Sequence, residues 1–111
     1  MHAALTARRA AAPAADAAFI DADIALHASV VAAAHNPVLT DLFGEFVPAL
    51  REGLVALLDL VDIHREESDH GDAAHEALVL AVESGDPEEA ERVALAELEA
   101  TFGRLKGRGR A

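Results

Sequence analysis

Residues 72–102 read DAAHEALVLAVESGDPEEAERVALAELEATF, and the six residues Ser84 to Glu89 inside this stretch decide the fold. Gly85 suits the end of a helix, because a residue without a Cβ accepts the left-handed conformation found just past many helix C-termini. Asp86 suits the cap of the next helix, and Pro87 its first position, where a missing N–H is no loss. Glu88 and Glu89 then stand at the positive end of that helix dipole. The pattern predicts a helix over Asp72–Glu83 and a second one carrying Ala90, Val93, Ala94, Leu98, Phe102 and Leu105, joined by a tight turn.

Working outward, residues 64–71 (HREESDHG) are charged and unpatterned and read as a connection. Before them a long helix is expected from Val38 to about Ile63, with Leu39, Leu42, Phe43, Phe46, Leu50, Leu54, Leu57, Leu58 and Val61 as its apolar stripe. Pro48 lies within that helix and should kink it. His35-Asn36-Pro37 separates it from an earlier helix, Asp16 to about Ala34, whose Phe19, Ile20, Ile24, Val30, Val31 and Ala34 recur at three- and four-residue steps. Asn36 tolerates the left-handed conformation at a helix end, and Pro37 starts the next helix well. Residues 1–15 are Ala-rich and read as a frayed or partial N-terminal helix, residues 16–106 as the domain, and residues 107–111 as a disordered basic tail.

The composition agrees with helices throughout. Four Phe and no Trp or Tyr leave the core to Ala, Leu and Val, and alanine has the highest helix propensity of all. With 111 residues the chain suits one domain. The fold class is all-α.

Charge and cysteine content exclude several functions. A formal net charge of −11 repels phosphate backbones, and six of the nine bases lie near the ends, at Arg8, Arg9, Arg104, Lys106, Arg108 and Arg110. Direct nucleic-acid binding by this chain is therefore not expected. No cysteine is present, so neither disulfides nor thiolate metal sites arise. The apolar runs fall far short of the ~20 residues of a membrane span, and the N-terminus lacks the apolar segment of a secretory signal. A soluble cytoplasmic protein is the expectation.

Chemistry concentrates on four side chains. Asp23 and His27 lie four apart, so they share a helix face, and it is the apolar one. Burying two polar groups there demands partners, and an Asp–His hydrogen bond on a half-exposed flank would supply them as well as a metal would. His75 precedes Asp86 by eleven residues (86 − 75) and Glu97 follows it by eleven (97 − 86). In an antiparallel hairpin turning at Asp86, both stand about 16 Å from the turn at ~1.5 Å per residue. Two imidazoles and two carboxylates suit Zn²⁺, Ni²⁺, Mn²⁺ or Fe²⁺.

Two stretches, DADIALHASVVAAAHNPVL (21–39, from Asp21) and the hairpin quoted above, resemble the FCD domain of FadR-type GntR transcriptional regulators. That family has an Asp-x-x-(Phe/Leu)-His helix, then a small residue, Asn and Pro, and later a His-opened hairpin. The resemblance covers about residues 16–105. It implies an antiparallel helical bundle of about four or five helices enclosing a pocket, a divalent metal, a small carboxylic-acid effector and a homodimer. Asp23, His27 and His75 fall on the family's first three metal ligands, and its fourth, a histidine, falls on Glu97. Glutamate can coordinate, but it adds charge and makes the site harder, or it marks a site without metal. His35 replaces the family's usual glycine before the turn Asn. The family's N-terminal winged-helix domain, which reads DNA, has no counterpart here, so either a shortened chain or a stand-alone sensor is implied.

Other signals are weaker. Glu67-x-x-His70 and Asp72-x-x-His75 have the spacing of di-iron bundles, but they adjoin and Gly71 interrupts them. His64, His70 and His2 are read as bystanders. No nucleophile or phosphate-loop motif occurs, so the chain is not expected to be an enzyme. A small metal-dependent helical enzyme and a metal-free interaction domain stand as the alternatives to an effector sensor.

Overall fold

A computed structural model of the protein describes residues 1–14, 16–61 and 71–109, with side chains described up to residue 57 in the first part of the chain and residue 103 in the second. The expected connection with His64 and His70, the end of the long helix at Ile63, and residues 110–111 lie outside the described residues, as do the side chains of Leu58, Val61 and Leu105. Five α-helices and one 3₁₀ turn make up the described residues, and no strand is among them. They are α1 (His2–Ala11), followed by the 3₁₀ turn Ala12–Ala14, α2 (Ala17–Ala32), α3 (Pro37–Val61), α4 (Asp72–Glu83) and α5 (Pro87–Gly109). The chain divides into two compact units, one ending at His70 and the other starting at Gly71.

In the first unit α2 packs on both α1 and α3. Asp16 starts α2 by accepting the backbone N–H of Ala18 at 3.0 Å and of Phe19 at 3.3 Å, which satisfies donors the helix itself leaves unpaired. Phe19, Ile20 and Ile24 are buried, and Phe43, Val47, Leu50, Leu54 and Val55 of α3 close over them. The register is antiparallel. Asp21 and Arg51 each lie fifteen residues from Asn36 (36 − 21, 51 − 36), and their side chains meet, with Arg51 Nε donating to Oδ1 at 2.6 Å and Nη2 to Oδ2 at 3.3 Å.

This contact corrects the expected stripe of α3. Leu39, Leu42 and Phe46 lie exposed, whereas Val47 and Val55 join Phe43, Leu50 and Leu54 on the packed side. The helix is apolar over a broad arc, so periodicity alone cannot select a face, and the α2 contact selects it. The helix continues unbroken through Pro48. Residues 2–11 form a regular helix whose Leu5 and Arg8 are buried.

The turn between α2 and α3 also differs from expectation. Asn36 is not the left-handed residue: His35 is, with φ 52°. Asn36 instead caps α3, its side-chain oxygen accepting the N–H of Val38 at 3.1 Å and Leu39 at 3.2 Å. A cap needs a non-helical, extended residue, so the left-handed step moves back by one.

The second unit is a hairpin of α4 and α5. Its turn follows the sequence reading closely. Gly85 takes φ 70°, its N–H donates to Val82 O at 3.1 Å, and the Asp86 N–H donates to Ala81 O at 2.9 Å. These are the paired bonds of a Schellman ending. The Asp86 carboxylate then accepts the Glu89 N–H at 3.0 Å and so caps α5. Val79 and Val93, each seven residues from Asp86 (86 − 79, 93 − 86), are both buried, as an in-register hairpin requires. Leu98 and Phe102, expected on the apolar face, are exposed. The α5 backbone continues to Gly109, past Gly107 where a disordered tail was expected.

Two predictions follow from the turn and the ion pair. His35→Gly should stabilise the fold by about 1 kcal/mol, because an L-residue pays roughly that much for the left-handed region; chemical denaturation measures it, and an unchanged or lowered midpoint would contradict the assigned strain. The Arg51 hydrogen bond holds the Asp21 carboxyl below its ordinary range. A lowered folded-state pKa gives a stabilising contribution that is present at neutral pH and disappears as pH falls through that pKa. NMR titration should accordingly show the Asp21 midpoint rising toward the ordinary carboxylate value in Arg51→Ala.

Candidate metal and effector site

Asp23 and His27 project from the middle of α2, one turn apart. The Asp23 side chain is 14% exposed and that of His27 40%. His27 Nε2 stands 3.8 Å from Asp23 Oδ1, which is too long for a hydrogen bond between these two atoms. The simple Asp–His hydrogen bond considered from the sequence is therefore not made through them.

Asp23 Oδ1 is held instead from α1. Arg8 Nε donates to it at 2.7 Å, and the Arg8 side chain is 5% exposed. The Arg8 guanidinium carbon also lies over the Phe19 ring, 4.7 Å from its centre, a favourable cation–π position. One helix thus supplies both an anion and an aromatic face to a single buried cation. Breaking such a pair on one side costs about 3–5 kcal/mol, because the remaining charge stays desolvated.

Arg8 was not found by reasoning from the sequence. It stands in an alanine-rich segment beside Arg9, and the two read as terminal charge. The available signal was spacing: Leu5, Arg8 and Ala12 fall on one face of a helix, and Leu5 and Arg8 are the buried residues of α1.

His75 lies in the second unit, one turn into α4, and is buried. Its Nδ1 is 2.6 Å from the carbonyl oxygen of Gly71. A carbonyl can only accept, so Nδ1 carries the proton, and in the neutral ring the lone pair sits on Nε2. The Gly71 carbonyl also receives the His75 backbone N–H at 3.0 Å, so ring and backbone are anchored to the same atom. Gly71 itself adopts φ 79°, which directs the chain into α4. Glu97 lies on α5 and is half-buried. The register that levels Val79 with Val93 sets His75 and Glu97 one turn further from the bend, four residues from each valine (79 − 75, 97 − 93).

In the first unit a mostly buried carboxylate and a half-exposed imidazole stand side by side, and in the second a buried imidazole has its lone pair on Nε2; each is by type a donor that a divalent ion accepts. Fixing a ligand histidine through its other ring nitrogen is the usual outer-shell arrangement of metal sites.

No curated protein and no solved structure matches the chain. The family model of the FCD domain matches residues 1–100. With nearly its whole length covered, the chain belongs to the FCD domain family.

Proposed function

We propose that this chain is the effector-sensing domain of a FadR-type GntR transcriptional regulator, with a divalent ion (Zn²⁺, Ni²⁺, Mn²⁺ or Fe²⁺) held by Asp23, His27 and His75. Glu97 is proposed as the fourth ligand, in place of the family's histidine. When bound, the ion would supply a Lewis-acidic anchor for the carboxylate of a small organic acid. The observation that carries this reading is the FCD family match over residues 1–100, and the buried His75 ring, held through Nδ1 with its lone pair on Nε2, is compatible with it.

The FCD family is regulatory and ligand-binding in character, and this favours a sensor over an enzyme. In a full-length regulator, effector binding would alter how the helices pack and so the spacing of two DNA-reading heads in a homodimer. DNA contact would come through a winged-helix domain, in keeping with the net charge of −11 on this chain. No helix among the described residues is long and apolar enough to cross a membrane, and a cytoplasmic location is part of the proposal.

Elemental analysis and calorimetric titration with Zn²⁺ test the reading. About one ion per chain is expected, lost in a folded His27→Ala/His75→Ala double mutant. Removal of the ion by chelator should lower unfolding stability by about 2.7 kcal/mol if the ion was present at a hundred times its Kd. A thermal-shift screen of small carboxylic acids should show stabilisation that disappears with chelator. Equal Zn²⁺ uptake by the double mutant would refute the ligand assignment.

A further inference from the structure

We infer that Arg8 is the resident counter-cation of the Asp23 carboxylate, and that a divalent ion must compete with it for this carboxylate, so that Arg8 sets the affinity of the site. The inference rests on the metal reading above and concerns a residue outside its ligand set.

Three observations carry it. Arg8 Nε lies 2.7 Å from Asp23 Oδ1, in the range of a charge-assisted hydrogen bond. The same oxygen is the one that His27 Nε2 approaches at 3.8 Å, so Arg8 and His27 both address one atom of the carboxylate. The Arg8 side chain is 5% exposed and its guanidinium lies over Phe19, which is itself buried, so the cation is packed in place rather than swung in from solvent.

Two opposite effects are possible for such a residue, and their sizes decide between them. A hydrogen bond to a ligating carboxylate orients it and ordinarily raises metal affinity, by an amount of roughly tenfold to a hundredfold. Arginine, however, is permanently charged. Its repulsion of a divalent ion acts across a few ångströms in a region largely shielded from water, where screening is weak. It also engages a lone pair of the carboxylate to which the ion would bind. Repulsion and occupancy together outweigh orientation, and the net effect of Arg8 is to weaken binding.

The test is Zn²⁺ titration of the full chain by calorimetry, with wild type, Arg8→Gln and Arg8→Lys. Arg8→Gln removes the charge but keeps N–H donors, and it should bind Zn²⁺ at least about tenfold more tightly than wild type, the scale of one unscreened like charge at close range. Arg8→Lys keeps the charge and should stay close to wild type. Equal or weaker binding by folded Arg8→Gln, with wild type still binding, overturns the inference while leaving the metal reading intact. If neither protein takes up Zn²⁺ by titration or elemental analysis, the metal reading falls and the inference with it.

Because loss of a buried ion pair can unfold the variant, a measurement on wild type stands beside it. The Arg8 Nε–H resonance should exchange slowly in the ion-free protein. On saturation with Zn²⁺ it should shift and exchange faster as the bond to Oδ1 is lost. An unaltered resonance at saturation overturns the inference without recourse to any variant.

Discussion

A carboxylate placed in the apolar face of a helix must be given a positive partner, and in this protein that requirement joins α1 to α2. Asp23 stands among Phe19, Ile20 and Ile24 of one hydrophobic helix, and Arg8 reaches it from the preceding one. The bond fixes more than charge. It brings the Ala-rich N-terminal helix against α2, seats a guanidinium over Phe19, and determines which way the carboxylate faces. Without it, the apolar face of α2 would hold a desolvated anion, which costs several kcal/mol.

The two units use different means to define their geometry. In the first, apolar packing between α2 and α3 is indexed by an exposed ion pair, Asp21 with Arg51, at the level the turn at Asn36 predicts. In the second, the turn itself sets the register through backbone bonds, and the buried valines follow. His75 is oriented at the opposite end of α4, where the carbonyl of its N-cap residue Gly71 holds the ring.

Helix boundaries were legible in the sequence wherever a residue has a local reason to end or begin a helix. Asp16, Gly85 and Asp86 act through neighbours two to five positions away and Pro87 through its own ring, and each was placed at a helix boundary from its residue type. The closeness of Asp23 and His27 was legible for the same reason. Three features were not. The packed face of α3 was misread because leucine, valine and phenylalanine cover a broad arc of that helix, and only contact with α2 distinguishes Phe43 from Phe46. Arg8 was missed because its partner is fifteen residues away (23 − 8) across a turn, a distance to which no helical period points. The left-handed residue was placed one position late because Asn36 has two competing uses, and capping prevails over backbone tolerance.

Asp86 serves both sides of its turn at once. Its backbone N–H completes the bonding that closes α4, and its carboxylate opens α5. One residue is therefore the last of one motif and the first of the next, with no spare position between them. An insertion here would part the two roles and shift the levels of every residue pair along the hairpin. Length variation in this part of the molecule is thus confined to its far end, and the bend offers little slack for a protease to grip.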